Sequence, residues 1–300
     1  MVTPSYIVFQ CYGSESIFHE CTYALLSLSR LYAQGMPADT EIWIYTDKPE
    51  WFKDLRGCTL PLNFRTVDQQ QIQAWRGKID FVHRVKVEVL KDICSKKDGN
   101  ILYLDTDIVF THHIDKMLAD IAAGKLYMHV MEGVVSDGSN PIFKKLAAYL
   151  HKSHAKVKDK PLYDIAMWNA GVLGFHTRHK HLLDEVLAFT DKVHPEFPKH
   201  IVEQFAFSVF FQQTGDVKAA APYILHYWNL KEVRVLLASF FNYFKDKSWG
   251  ELVQYSILIQ MHVLMQEKVN YLHNLSIIDK LQKKKWQAPQ YNWAVLSKQL

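Results

Sequence analysis

Through the first third of the chain, short apolar runs alternate with segments of helical period. Residues 6–10 (YIVFQ), 41–46 (EIWIYT), 63–67 (NFRTV) and 101–104 (ILYL) are rich in β-branched and aromatic residues and bounded by turn formers, so they predict strands. Between them, residues 17–32 place Ala24, Leu25, Leu28 and Leu31 on one helical face, and residues 81–93 do the same with Val82, Val85, Val89 and Ile93. Strands alternating with amphipathic helices predict an α/β fold with a doubly wound, mainly parallel sheet, whose ligands bind at the carboxyl ends of the strands.

From residue 126 the pattern changes. LYMHV (126–130) and GVLGF (171–175) predict strands, separated by a polar, Lys- and His-rich stretch at 143–165 that reads as a mobile segment. After Trp228 the pattern is helical, in VRVLLASFFNYF (233–244) and ELVQYSILIQMHVLMQEKVNYL (251–272), and ends in the basic, aromatic tail KLQKKKWQAPQYNW (280–293). The expected organisation is a domain over 1–230, in two halves that meet near residue 125, and a helical extension over 231–300. Phe240, Phe241, Tyr255, Met261 and Met265 in that extension read as core or as a partner surface, including one for a homodimer.

Three hundred residues with 49% hydrophobic and 22% charged side chains bury a sizeable core, which excludes a mainly disordered chain. The net charge of +4 is spread along the sequence, so a nucleic-acid partner is not implied. Cys11, Cys21, Cys58 and Cys94 form no Cys-x-x-Cys pair, and reduced thiols in a cytoplasmic protein are the simplest account. The first residues read as a strand rather than an export signal, and no run is long and apolar enough for a transmembrane segment.

The sharpest chemical feature is ILYLDTDIVF, an apolar strand running into Asp105-Thr106-Asp107. With a strand period of two, both carboxylates are expected on one face, where oxygen ligands select Mn²⁺ or Mg²⁺. Taken alone, Asp-x-Asp also fits a turn or a helix cap. No Gly-x-Gly-x-x-Gly or Walker A sequence is present, and the histidines match no zinc pattern.

The order ILYLDTDIVF, MWNAGVLGFH, EQFAFSVFF, ILHYWNLK resembles the GT-A-fold glycosyltransferases, most closely the glycogenin-like glycosyltransferase family 8, over roughly residues 5–232. The resemblance implies a GT-A mixed, mainly parallel sheet flanked by helices and a nucleotide-diphosphate-sugar donor. It also implies Mn²⁺ (or Mg²⁺) held by Asp105, Asp107 and His226. It assigns Asn169, Ala170 and Gly171 to one wall of the donor pocket and Glu203 with Gln204 to the other, with Thr106 inside the acidic motif. Glu203 replaces the more usual Asp of the Asp-Gln pair, and His226 lacks the family's following Gly and Lys-Pro-Trp spacing.

Lys231 fits the family's diphosphate lysine or an exposed lysine opening a helix. Lys86 and Arg84 each fit a donor contact or a solvated face, but residues two apart on a helix do not share a face. Gln10 ends the first strand, and Tyr12 in the loop after it either stacks on the nucleotide base or closes an ordinary loop.

The expected reaction is metal-dependent transfer of a sugar to a carbohydrate, lipid or protein acceptor, with retention of anomeric configuration. An inverting enzyme would need a carboxylate base, for which Glu132, Asp137 and Glu203 are candidates. Two rival readings are a nucleotide-sugar-binding scaffold with a decayed site and a nucleotide-sugar hydrolase. Product analysis separates all three.

Overall fold

In a computed structural model, residues 3–300 are described apart from 54, 56, 155, 158, 159, 277, 278, 280, 281 and 283. Residues 280, 281 and 283 of the basic, aromatic tail at 280–293 therefore lie outside the described residues. The first half runs β1 (Ser5–Cys11), α1 (Glu15–Leu31), β2 (Thr40–Thr46), α2 (Glu50–Lys53), β3 (Leu62–Thr66), α3 (Gln69–Arg76), α4 (Arg84–Lys96), β4 (Asn100–Leu104), β5 (Ile108–Phe110) and α5 (Asp115–Ala122). It continues with β6 (Leu126–Met128), β7 (Met131–Val134), α6 (Pro141–Lys152), β8 (Lys156–Val157), β9 (Lys160–Pro161), β10 (Ala166–Trp168), β11 (Val172–His176), α7 (Leu182–Val193) and α8 (Val202–Thr214). The last elements are β12 (Val217–Ala219), β13 (Ile224–His226), α9 (Val233–Tyr243), α10 (Trp249–Tyr255), α11 (Met261–His273) and α12 (Trp293–Leu296).

Seven strands form the central sheet in the order β12-β6-β11-β4-β1-β2-β3. Every pairing is parallel except those of β11, which runs antiparallel to both β4 and β6. The inner strands are apolar on both faces because helices cover both. Their side chains divide with a period of two: Ile7, Phe9, Leu102 and Leu104 enter the core under α1, while Tyr6, Val8, Ile101 and Tyr103 enter the core under α4, α7 and α8.

Two connections deliver the chemistry to the carboxyl end of β4. Antiparallel pairing sets Val172 opposite Leu104, so the Asp105 amide donates to the Gly171 carbonyl at 2.9 Å and the Asp105 and Asn169–Gly171 segments lie together. β13 pairs with β5 in a register that sets His226 opposite Ile108, next to Asp107.

Three expectations need correction. Asp105 and Asp107 do not converge through strand periodicity, because β4 ends at Leu104 and both sit in the bend before β5. The stretch read as mobile opens with α6, whose N-terminus is fixed by the Asn140 carboxamide oxygen accepting from the amides of Ile142 and Phe143, with Pro141 in the first turn. Residues 251–272 break into α10, a 3-10 turn at Ser256–Leu258 and α11. There the Tyr23 hydroxyl donates to the Ile259 carbonyl at 2.6 Å, taking up an acceptor that helix continuation would use. Phe240 and Met261 belong to the core shared with α1.

Candidate active site

A cavity of about 1100 Å³ opens at the carboxyl ends of the strands. Gln10, Tyr12, Lys86, Asp105, Thr106, Asp107, Asn169, Ala170, Gly171, Glu203, Gln204, His226 and Lys231 all line it. Arg84 does not. Its guanidinium is held by Asp191 at 2.8 Å, Glu88 at 2.7 Å and the Trp75 carbonyl at 2.7 Å, tying α4 to α7 and to the end of α3. Lys86, two residues on, turns inward, as helical spacing requires.

Asp105, Asp107 and His226 each offer a ligand atom within 4.8 Å of the others. The carboxamide of Asn169 determines what His226 presents to the acids. Its nitrogen donates to Glu132 Oε1 at 3.0 Å, and its oxygen accepts from the Gly171 amide at 2.9 Å. That oxygen therefore also accepts from His226 Nδ1 at 2.9 Å, which assigns a proton to Nδ1 and turns Nε2 toward the acids. Nε2 lies 3.2 Å from Asp107 Oδ1 and 3.9 Å from Asp105 Oδ2.

A neutral imidazole would set a lone pair against carboxylate lone pairs there. Either a second proton or a cation relieves the repulsion, and a divalent cation satisfies all three groups together. Two carboxylates and one imidazole form a donor set that fits a divalent cation. Gly171 has no room for a side chain, since a Cβ would lie 2.0 Å from His226 Cε1.

Charge around the triad is compensated. Burial works to raise the pKa of Asp107, but His226 and Lys231, whose Nζ donates to Asp107 Oδ2 at 2.5 Å, outweigh it and hold the carboxyl below its usual range. Lys86 is buried, donates to the Ala170 carbonyl at 2.9 Å and lies 3.3 Å from both Asp105 Oδ1 and Glu203 Oε1. Burial disfavours its charge, but the two carboxylates prevail and raise its pKa. Glu203 shows the opposite balance, for burial pushes it up to about 7 despite Lys86. The Tyr103 hydroxyl donates to Asp105 Oδ1 at 3.1 Å.

Several lining groups escaped the sequence reading. Glu132, a candidate base by sequence, instead accepts from Asn169 at Oε1 and from Gln204 at Oε2 at 2.8 Å, so one carboxylate orients both amides. His83, buried enough that its pKa falls to about 4, and half-exposed Trp228 also line the cavity, as do Asn140–Phe143 from the start of α6. Glu20, a lone acid on the apolar face of α1, was the most legible of these signals. The Gln10 carboxamide nitrogen donates to the Tyr12 hydroxyl at 3.1 Å. Asp137 does not line the cavity.

The site thus combines a mainly parallel α/β sheet with an acidic pair where β4 stops. Residues 89–213, from within α4 to within α8, match the family model described as Glycosyl transferase family 8. The match spans less than half of the chain, includes Asp105, Asp107, Asn169, Glu203 and Gln204, and supports a glycosyltransferase.

No curated protein matches the chain in sequence. Among solved structures it is similar to galactosyltransferase LgtC in complex with donor and acceptor sugar analogs, at 13% identity over 68% of this chain and 70% of that one, with a TM-score of 0.43. It is also similar to mouse xyloside xylosyltransferase 1, at 13% identity, 72% and 84% coverage and a TM-score of 0.48. A third is the apo-form glycosyltransferase GlyE of Streptococcus pneumoniae TIGR4, at 16% identity, 84% and 62% coverage and a TM-score of 0.48.

Proposed function

We propose that the protein transfers a sugar from a nucleoside-diphosphate sugar to an acceptor, with a divalent cation, Mn²⁺ or Mg²⁺, held by Asp105, Asp107 and His226. The observation that carries this reading is the convergence of those three groups within 4.8 Å at a cavity of about 1100 Å³, large enough for a donor with part of an acceptor. When bound, the cation supplies Lewis-acid stabilisation of the charge that grows on the leaving diphosphate.

Lys231 contributes its ammonium at the diphosphate end, and Tyr12 offers a ring to the base. Asn169 and Gln204, oriented by Glu132, hold sugar hydroxyls in a fixed frame, while Lys86 and Glu203 set the charge beneath the sugar. Retention is favoured by the state of the carboxylates. Both oxygens of Glu132 accept from amides, so that carboxylate does not stand free to deprotonate an acceptor, and Asp137 lies outside the cavity. Trp228 and Ile142 at the cavity rim provide apolar surface on which an acceptor can lie.

Among the described residues no helix is long and apolar enough to cross a membrane. The four free thiols support a cytoplasmic setting.

The test is incubation with a panel of nucleotide sugars and simple glycoside acceptors, with Mn²⁺ or with EDTA, followed by NMR of the products. A new glycoside of unchanged anomeric configuration, formed only with metal, is expected. Free sugar alone would instead identify a hydrolase, and donor binding without turnover would identify a binding protein.

A further inference from the structure

Glu20 is an anomaly in α1. It is 1% exposed among Phe18, Cys21 and Ala24, where an unpaired carboxylate is costly. Its two oxygens accept from Arg234 Nε at 2.9 Å and Nη2 at 3.0 Å, a fork that crosses from α1 to α9. The pair is asymmetric: the Arg234 side chain is 32% exposed and lines the catalytic cavity. Among the described residues its Nη1 has no partner, so two N–H groups on Nη1 and the second on Nη2 remain for a ligand.

The charges around it locate that ligand. Arg234, in the first turn of α9, donates its amide to the carbonyl of Lys231 at 3.2 Å, and the Lys231 ammonium sits on Asp107. Asp107 lies close enough to help hold the Arg234 guanidinium in its charged form, after the larger contribution of Glu20. Lys231 and Arg234 thus form a cationic step beside the acidic triad, each matched by one acid.

We propose that Arg234, positioned by the buried carboxylate of Glu20, is a further diphosphate-binding residue of this cavity. The proposal rests on the reading of the cavity as a nucleoside-diphosphate-sugar site. A guanidinium fixed by one bidentate contact presents its remaining N–H groups without a further loss of side-chain freedom, which suits two adjacent phosphate oxygens. A lysine at the same place would offer a point charge and no fixed direction. Glu20 is then a positioning residue, buried so that the fork cannot swing into water.

The test compares a nucleoside diphosphate with its own monophosphate, using UDP against UMP and GDP against GMP, by calorimetry on the full chain with Mn²⁺. Arg234→Gln is expected to weaken diphosphate binding by about tenfold or more, while monophosphate binding changes much less. Because Arg234→Gln leaves a buried acid unpaired, Glu20→Gln/Arg234→Gln removes both charges and is expected to show the same loss with an intact melting transition. Arg234→Lys is expected to fall between.

A folded variant lacking the guanidinium that keeps the wild-type ratio of diphosphate to monophosphate affinity overturns the proposal. Lys231→Gln and Asp107→Asn separate the two levels. If they lose the ratio and Arg234→Gln keeps it, only the Arg234 assignment fails. If all three keep it, the donor-site reading itself fails.

Discussion

At the scale of single residues, the site depends on groups that hold other groups. Asn169 sets the tautomer of His226, Glu132 sets the carboxamides of Asn169 and Gln204, and Gly171 leaves the space into which the imidazole packs. Gly171→Ala is therefore expected to displace His226 and to weaken Mn²⁺ binding by about 10- to 100-fold, measured by electron paramagnetic resonance of free Mn²⁺. Unchanged affinity would show that His226 does not hold the metal.

Glu203 yields a separate test through pH. Its pKa, pushed up to about 7 by burial, exceeds that of the unfolded chain, so the native state holds this proton more tightly. The resulting stabilisation is fully present below the unfolded value, near 4.3, and is lost as pH rises through about 7. Between pH 5 and pH 8 the wild type is expected to lose stability relative to Glu203→Gln, by about 3 kcal/mol at most, in urea unfolding. Parallel curves for the two proteins would contradict that balance of burial against Lys86.

At the scale of elements, legibility followed the range of the interaction. The strands and α1 could be read because their apolar periodicity is local, and Asp105-Thr106-Asp107 could be found because an apolar strand announces it. Their convergence with His226 depends on β13 pairing with β5, more than 100 residues away in sequence, and no local pattern encodes that register. The bend after Leu104, rather than strand alternation, brings the carboxylates together. Recognition of Asn169, Gly171, Glu203 and His226 came from resemblance to a family, not from spacing.

Arg84 and Lys86 illustrate the remaining difficulty. Both are cations on one helix, and only the packing of α4 against α7 decides which faces the cavity. Arg84→Ala is expected to cost about 2 kcal/mol of stability by leaving Asp191 and Glu88 without their partner. Donor KM should stay near wild type. A selective rise in donor KM without loss of stability would return Arg84 to the site.

At the scale of the whole molecule, the segment after residue 230 completes the core rather than hanging from it. Leu236, Leu237 and Phe240 of α9, Trp249 of α10 and Met261 and Leu264 of α11 share one apolar cluster with α1, and the Trp249 indole donates to Ser29 Oγ at 3.0 Å. Removing these side chains forfeits on the order of 10 kcal/mol of burial, comparable with the net stability of an entire domain. Truncation after residue 230 is accordingly expected to give an insoluble chain, checked by expression and circular dichroism. A folded product would show that the first 230 residues are self-sufficient. The same packing places Arg234 at the cavity, so the C-terminal helices contribute to the site as well as to the core.

The account as a whole depends on the acidic bend and His226 gripping a divalent cation beside a diphosphate. The most direct measurement is calorimetric titration of Mn²⁺ into wild type, Asp107→Asn and His226→Ala, each with and without a nucleoside diphosphate. Wild type should bind one ion, more tightly when the diphosphate is present, and both variants should lose that binding while retaining a cooperative melting transition. Wild-type Mn²⁺ affinity in folded Asp107→Asn would contradict the assignment of the site.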